Sequence, residues 1–227
     1  MKTFFSFDRI IYIYLNTKNK DMKIGTLILP ILLLLSNIGI SQTPPPEIVC
    51  DSIDVHGYFL EIINDYREEN GLNRLVLDTG LQSACRYHAA YLSTYNQSTH
   101  SYCDADTLIE HDPDPRSRAK KFKARSSKAV GENCFNIGDG IDTDCWSDEP
   151  IVYPHFLKFR IALENGIFDY KLAAQYGLAG WIWSEGHREL LLDEKMTTGA
   201  VYFYVYEHPE DGYRMSGVFM TTNHDLK

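Results

Sequence analysis

The pattern of apolar and polar positions divides the chain into a few legible elements. A continuous apolar run covers residues 24–40, built on Leu27-Ile28-Leu29-Pro30-Ile31-Leu32-Leu33-Leu34-Leu35. Past it, Pro44-Pro45-Pro46 marks a stiff, extended spacer over residues 42–55. Phe59, Ile62, Ile63 and Tyr66 recur at i, i+3, i+4 and i+7, which predicts a helix starting near Val55. Asn70-Gly71 ends it. Asp78-Thr79 can cap a second helix whose stripe is Leu81, Ala84, Cys85, His88 and Leu92. The segment 96–114 is polar and reads as loop, and Pro115 to Ala124 reads as a short basic helix. Val130 to Phe135 reads as a strand, and residues 136–170, with Gly138, Gly140, Pro150, Pro154 and Gly166, as an irregular insertion. Leu172 to Trp183 returns to helix. Two strands close the chain, Gly199–Tyr206 and Tyr213–Thr222, joined by a hairpin over Glu207–Gly212. Helices followed by a closing hairpin predict an α+β fold with helices packed on an antiparallel sheet.

The apolar run changes how the charge is read. Met22-Lys23 precede it, and Gly39 and Ser41 are small residues before Gln42. Basic flank, short apolar core and small-residue site together predict a secretory signal over residues 1–41, with Met22 as an alternative start. An uncleaved anchor is the competing reading, but the run is at the lower limit for spanning and Pro30 and Gly39 interrupt it. The whole chain has 227 residues and net charge −9. Residues 1–41 hold five basic and two acidic side chains, so the rest carries 17 basic and 29 acidic ones, net −12. So acidic a domain is a poor match for nucleic acid, which needs clustered Lys and Arg. The run Arg116, Arg118, Lys120, Lys121, Lys123 is expected to be a solvated face. Cys50, Cys85, Cys103, Cys134 and Cys145 all lie past the signal. Export exposes them to an oxidising compartment, so a disulfide set with one thiol left over is expected.

Three segments, in order, carry a resemblance. The first runs from Asn64 through Arg67, Gly71-Leu72 and Leu75 to Leu81, Ala84 and His88. The second is Gly131-Glu132-Asn133, preceded by His111 and Arg118-Ala119. The third is Trp181-Ile-Trp-Ser184-Glu185-Gly186-His187-Arg188 running on to Leu191-Leu192. Together they resemble the CAP superfamily (cysteine-rich secretory proteins, antigen 5, pathogenesis-related 1) in its bacterial SCP-like form. The likeness covers residues 56–222 as one domain, leaving 223–227 as a tail. It implies a three-layer α-β-α sandwich with a central antiparallel sheet.

The resemblance also implies a cleft lined by two His and two Glu. Matched by motif, His111, Glu132 and His187 fill three of the four positions, and His100 is the rival of His111. Ser184 stands where some relatives place the second carboxylate, and the adjacent Glu185 is the candidate replacement. Neutral imidazoles with a carboxylate form a ligand set for Zn²⁺ or another divalent metal. Trp181, Gly186, Asn133 and Arg188 are expected to be structural, Asn133 for turn bonds and Arg188 for a carboxylate partner. His88, on the apolar face of its helix, is expected to be core. Trp146, Tyr153, Phe156, Phe159 and Phe168 are expected to anchor the insertion or line an apolar groove.

The function implied is a non-enzymatic extracellular binding module, secreted or held in the periplasm or cell envelope. It would be monomeric, with no stable membrane span after signal cleavage, and would bind a lipid, another small ligand or an extracellular partner. The alternative is an extracellular metal-dependent hydrolase using the same cleft. The chain shows neither H-E-x-x-H nor G-x-S-x-G.

Overall fold

A computed structural model describes residues 44–48, 54–95, 114–125, 129–138, 150–208 and 212–223. The predicted signal, His100, His111, Cys50, Cys103, Cys145, Trp146 and the tail 224–227 lie outside the described residues. In chain order the elements are α1 (Val55–Glu69), β1 (Val76–Leu77), α2 (Thr79–Tyr95), α3 (Pro115–Lys121) and β2 (Val130–Gly138). There follow α4 (Tyr153–Glu164), α5 (Tyr170–Trp183), α6 (Glu185–Leu191), β3 (Thr198–His208) and β4 (Gly212–Thr222).

Short polar side chains start the helices. Asp54 accepts the Gly57 N–H at 2.8 Å. Asp78 accepts those of Gly80 and Leu81 at 2.8 and 3.1 Å. Asp114, just ahead of Pro115, accepts that of Ser117 at 2.9 Å. Each satisfies a donor that the helix itself leaves unpaired.

The four strands lie in the order β1-β3-β4-β2. β3–β4 and β4–β2 are antiparallel, and β1 adds to β3 in parallel. The sheet is therefore antiparallel through its centre, as expected, and mixed only at the β1 edge. β1 is two residues long, too short for a period-2 pattern to show.

Alternation along the strands builds two cores. On β3, Val201, Phe203 and Val205 enter the core formed with α1, α4, α5 and α6. Ala200, Tyr204 and Tyr206 enter the one formed with α2 and α3. β4 divides the same way, Met215 and Phe219 against Val218 and Met220. The result is three layers, helix on sheet on helix. Trp181 sits fully buried in the larger core, stacked on Phe59 at 5.3 Å and tilted on Phe135 at 5.2 Å.

The described parts of segment 136–170 are not the irregular insertion predicted. β2 continues to Gly138, and α4 fills residues 153–164. Phe156 and Phe159 bury into the core, while Tyr153, Leu157 and Ile161 are 46, 40 and 49 % exposed. With apolar residues on both faces, α4 shows no amphipathic stripe, which hid it from periodicity. Tyr153, expected as an anchor, faces outward instead.

Pro44–Ile48 is extended and docked rather than a free spacer. Ile48 N–H donates to the Val205 carbonyl at 2.8 Å, and the Tyr204 hydroxyl to that of Pro45 at 2.6 Å. Glu47 accepts from Tyr202 at 2.6 Å and from Arg86 at 2.9 Å. His56 stacks on Tyr202 at 3.9 Å and accepts the Phe203 N–H at Nδ1, 3.2 Å away. Backbone groups of β3 beyond the short β1 thus find partners, which closes an edge that could otherwise template aggregation.

Burial pushes the His56 pKa below its ordinary 6.5, against the opposing pull of Asp54 and Glu47. The unfolded chain therefore takes up this proton at a higher pH than the folded one. Stability contributed by neutral His56 is expected to fall as pH drops below about 6.5, levelling off under the lowered folded pKa. Urea denaturation against pH should show this slope, and His56→Gln should flatten it.

Gly217 on β4 lies under the Phe135 ring, where a Cβ would collide with it. Gly217→Ala should cost about 1–3 kcal/mol through overpacking. Coupling to Phe135→Leu in a denaturation double-mutant cycle checks the cause.

Candidate functional site

The Gly131-Glu132-Asn133 motif lies on β2, so its residues point alternately to the two faces of the sheet. Glu132 turns toward α2 and α3. Its side chain is 1 % exposed, and the Arg118 Nη2 donates to both carboxylate oxygens at 2.7 Å. Arg118 is itself fully buried on α3. His88, fully buried on α2, places Nε2 3.6 Å from the same carboxylate and stacks on Tyr91. Cys134 follows two positions on, hence on the same face.

Among the described residues, His88, Glu132 and Cys134 form the group whose ligand atoms all approach one another within 4.8 Å. Nitrogen, oxygen and sulfur donors of this kind suit zinc. Cys85, one turn before His88 on α2, is buried with its Sγ 3.5 Å from the Ala200 carbonyl. Burial, and then the Glu132 charge, push its thiol pKa well up. Cys85 and Cys134 both lie outside any disulfide.

Gly131 and Asn133 face the other way, toward α6. A Cβ at Gly131 would meet the end of the Leu190 side chain, which would have to turn away. Asn133 Nδ2 donates to the His187 carbonyl at 3.0 Å. It ties strand to helix, where a turn bond was expected. His187 is half-buried, its Nδ1 2.9 Å from Ser184 Oγ. Glu185 and Gly186 are exposed in the first turn of α6.

The set predicted from motifs is thus divided. α6, bearing Ser184, Glu185 and His187 at its start, packs on the face of β2 opposite the one that carries Glu132. Among the described residues, neither His187 nor Glu185 belongs to the group around Glu132. Arg188 also departs from expectation. Its Nη1 donates to the Ile182 and Trp183 carbonyls at 2.8 and 3.3 Å, closing the end of α5 rather than meeting a carboxylate.

His88 was legible as buried but not as a neighbour of Glu132. The usable signals were two short spacings. Cys85-x-x-His88 shares a helix face, and Glu132-x-Cys134 shares a strand face. Nothing in the sequence alone says that the two faces meet.

An α-β-α sandwich built around a buried Gly-Glu-Asn strand is the architecture that the sequence resemblance implied. The chain matches the CAP, cysteine-rich secretory protein, family over residues 60–221, and it belongs to that family. No curated protein matches it significantly. Similar solved structures include an extracellular SCP-domain protein from Bacillus anthracis, at 19 % identity and TM-score 0.42. That match covers 72 % of this chain but 40 % of the Bacillus protein, so the chain spans well under two thirds of it. An outer surface protein from Borrelia burgdorferi matches at 16 % identity and TM-score 0.46, over 79 % of this chain and 99 % of that one. The CAP domain of enterococcal PrgA matches at 17 % identity and TM-score 0.46, over 93 % and 82 %.

Breaking a buried ion pair strands one charge, at a cost of about 3–5 kcal/mol. Arg118→Met alone should destabilise by that amount in urea denaturation. Adding Glu132→Gln should recover part of it, since no buried carboxylate then lacks its cation.

Proposed function

We propose that the chain is a secreted CAP module that binds a lipid or other small ligand and does not catalyse a reaction. The observation that carries this reading is Glu132. A general base must reach a proton on substrate or its attacking water. The Glu132 side chain is 1 % exposed and has Arg118 on both oxygens. Its chemistry goes into holding the fold, which leaves surface recognition as the work of the domain. The outward apolar residues Tyr153, Leu157 and Ile161, with Ile167 at 58 % exposure, support an apolar ligand.

The setting is outside the cell or in its envelope, in keeping with the export signal read in residues 1–41. No helix among the described residues is long and apolar enough to cross a membrane. A monomer with no nucleic-acid role is the reading that the acidic charge favours. A divalent metal remains part of the reading, with the buried His/Glu/Cys group as its place. The rival reading, an extracellular metal-dependent hydrolase, draws on the cleft set His111, Glu132 and His187. It needs a substrate to reach a carboxylate closed off from solvent.

Native mass spectrometry of the protein against lipid extracts, with and without added zinc, tests the proposal. A retained ligand is expected in at least one condition, and none in either would overturn it. Peptide or ester hydrolysis lost in both Glu132→Ala and His187→Ala would establish the hydrolase instead.

A further inference from the structure

We propose that the exposed cations of α3 and of the turn after it form a docking surface for a flexible, linear acidic polysaccharide. The choice of a glycan rests on the extracellular setting proposed for the chain. The surface itself does not depend on the ligand-binding reading. It lies in the helix layer formed with α2, across the sheet from the outward apolar residues of α4.

Charge is distributed unevenly along the chain. Residues 115–128 hold seven of the 17 basic side chains beyond residue 41 and no acidic one. The rest of that region holds 10 basic side chains against 29 acidic ones. Arg118 is buried against Glu132, while Arg116, Lys120, Lys121, Lys123 and Arg125 are exposed. Lys120, Lys123 and Arg125 form no ion pair among the described residues. Asp114, just ahead of the run, accepts the N–H and the hydroxyl of Ser117, both at 2.9 Å. Like charges spaced as Arg116 and Lys120 are, i and i+4 on one helix, repel. A chain with so many carboxylates elsewhere keeps its cations together at a cost that a bound polyanion would offset.

The surface is held in place before anything binds. Asp78, the cap of α2, accepts the Arg125 N–H at 2.9 Å. Lys121 Nζ lies 4.3 Å from the centre of the Tyr87 ring on α2 and donates to its hydroxyl at 3.1 Å. Phe122 tilts on the same ring at 5.4 Å. Lys123 takes a φ of +56°, the left-handed region that glycine enters at less cost. It ends α3, with the N–H groups of Lys123 and Ala124 donating to the Lys120 and Ala119 carbonyls at 3.1 and 3.0 Å. A lysine thus stands where the backbone alone favours glycine. Ordering of this kind lowers what binding must later spend in entropy.

The layout of the charge selects the partner. Screening confines the pull of the cations to about 8–10 Å at ordinary salt. A flat anionic membrane or a stiff duplex would approach the acidic remainder of the domain as well as the patch. A thin, flexible chain can follow the patch and stay clear of the rest. Among the described residues, neither α2 nor α3 carries an exposed large hydrophobic side chain, so the patch has no wedge for a lipid layer. Carboxylate or sulfate groups spaced along a sugar chain fit this surface, Arg pairing them as a fork and Lys as a point charge.

The full chain is titrated calorimetrically with alginate and with heparin, a uronate and a sulfated glycan, and with neutral dextran as control. At about 0.05 M salt, binding to at least one acidic glycan and none to dextran is expected, fading by about 0.5 M. Lys120→Gln with Arg125→Gln should weaken binding roughly two- to fivefold per cation. Lys158→Gln with Lys195→Gln, exposed on other parts of the fold, should leave it unchanged. Lys123→Gly should weaken binding while raising the urea midpoint, because it removes a cation and relieves the backbone. Circular dichroism confirms that the variants fold. Binding to neither acidic glycan, binding to dextran as well, or full affinity in either patch variant would overturn the surface. Equal loss in the Lys158/Lys195 variant would also overturn it. Tighter binding to duplex DNA or to phosphatidylserine vesicles than to both glycans would overturn the choice of partner. Lipid retention by the Lys120→Gln/Arg125→Gln variant reports separately on the ligand-binding reading.

Discussion

Burying a charge in a protein core is tolerated only when an opposite charge and hydrogen bonds come with it. Glu132 and Arg118 meet that condition with 2.7 Å contacts to both carboxylate oxygens. The pair draws α3 against β2 and fixes how the smaller core closes. α2 must then present small or polar side chains where it passes over the carboxylate. His88 meets that need, with its Nε2 3.6 Å from the carboxylate. A larger aliphatic residue would cover Glu132 but offer its lone pairs nothing.

β2 is the hinge between the two halves of the sandwich. Its central motif sends Glu132 to one layer and holds the other through Asn133 and the close approach of Leu190 to Gly131. Three consecutive residues thereby locate α2, α3 and α6 relative to one sheet edge. Arg67 plays the matching part at the far end of α1. Fully buried, it donates to the carbonyls of Asn73, Leu191, Asp193 and Met196, collecting the turn after α6 and the approach to β3. Both motif arginines are therefore structural, and both serve backbone or carboxylate groups that burial would leave unsatisfied.

Much of the fold was legible because it rests on local rules. The stripes of α1 and α2, their Asp caps, and the alternation of β3 and β4 follow from side-chain period and hydrogen-bonding capacity. α4 was not legible, because residues on its outer face, Tyr153, Leu157 and Ile161, are as apolar as Phe156 and Phe159 on its inner face. β1 was missed because a two-residue strand exists only by virtue of its neighbour. The candidate site divides the same way. Motif order marked Glu132 and His187 as notable, while the company each keeps depends on which face of β2 it uses.

By itself, the sequence determined the family, the layered α+β class and the residues of the Gly-Glu-Asn strand. These depend on spacing along one chain. Tertiary structure alone decided that His88 and Cys134 gather at Glu132, that His187 belongs to the opposite layer, and that Arg188 closes a helix end. Those outcomes depend on strand order and on the packing of α2 against a sheet whose central strands, β3 and β4, come far later in the chain. Contacts between such distant segments leave no period in the sequence to read.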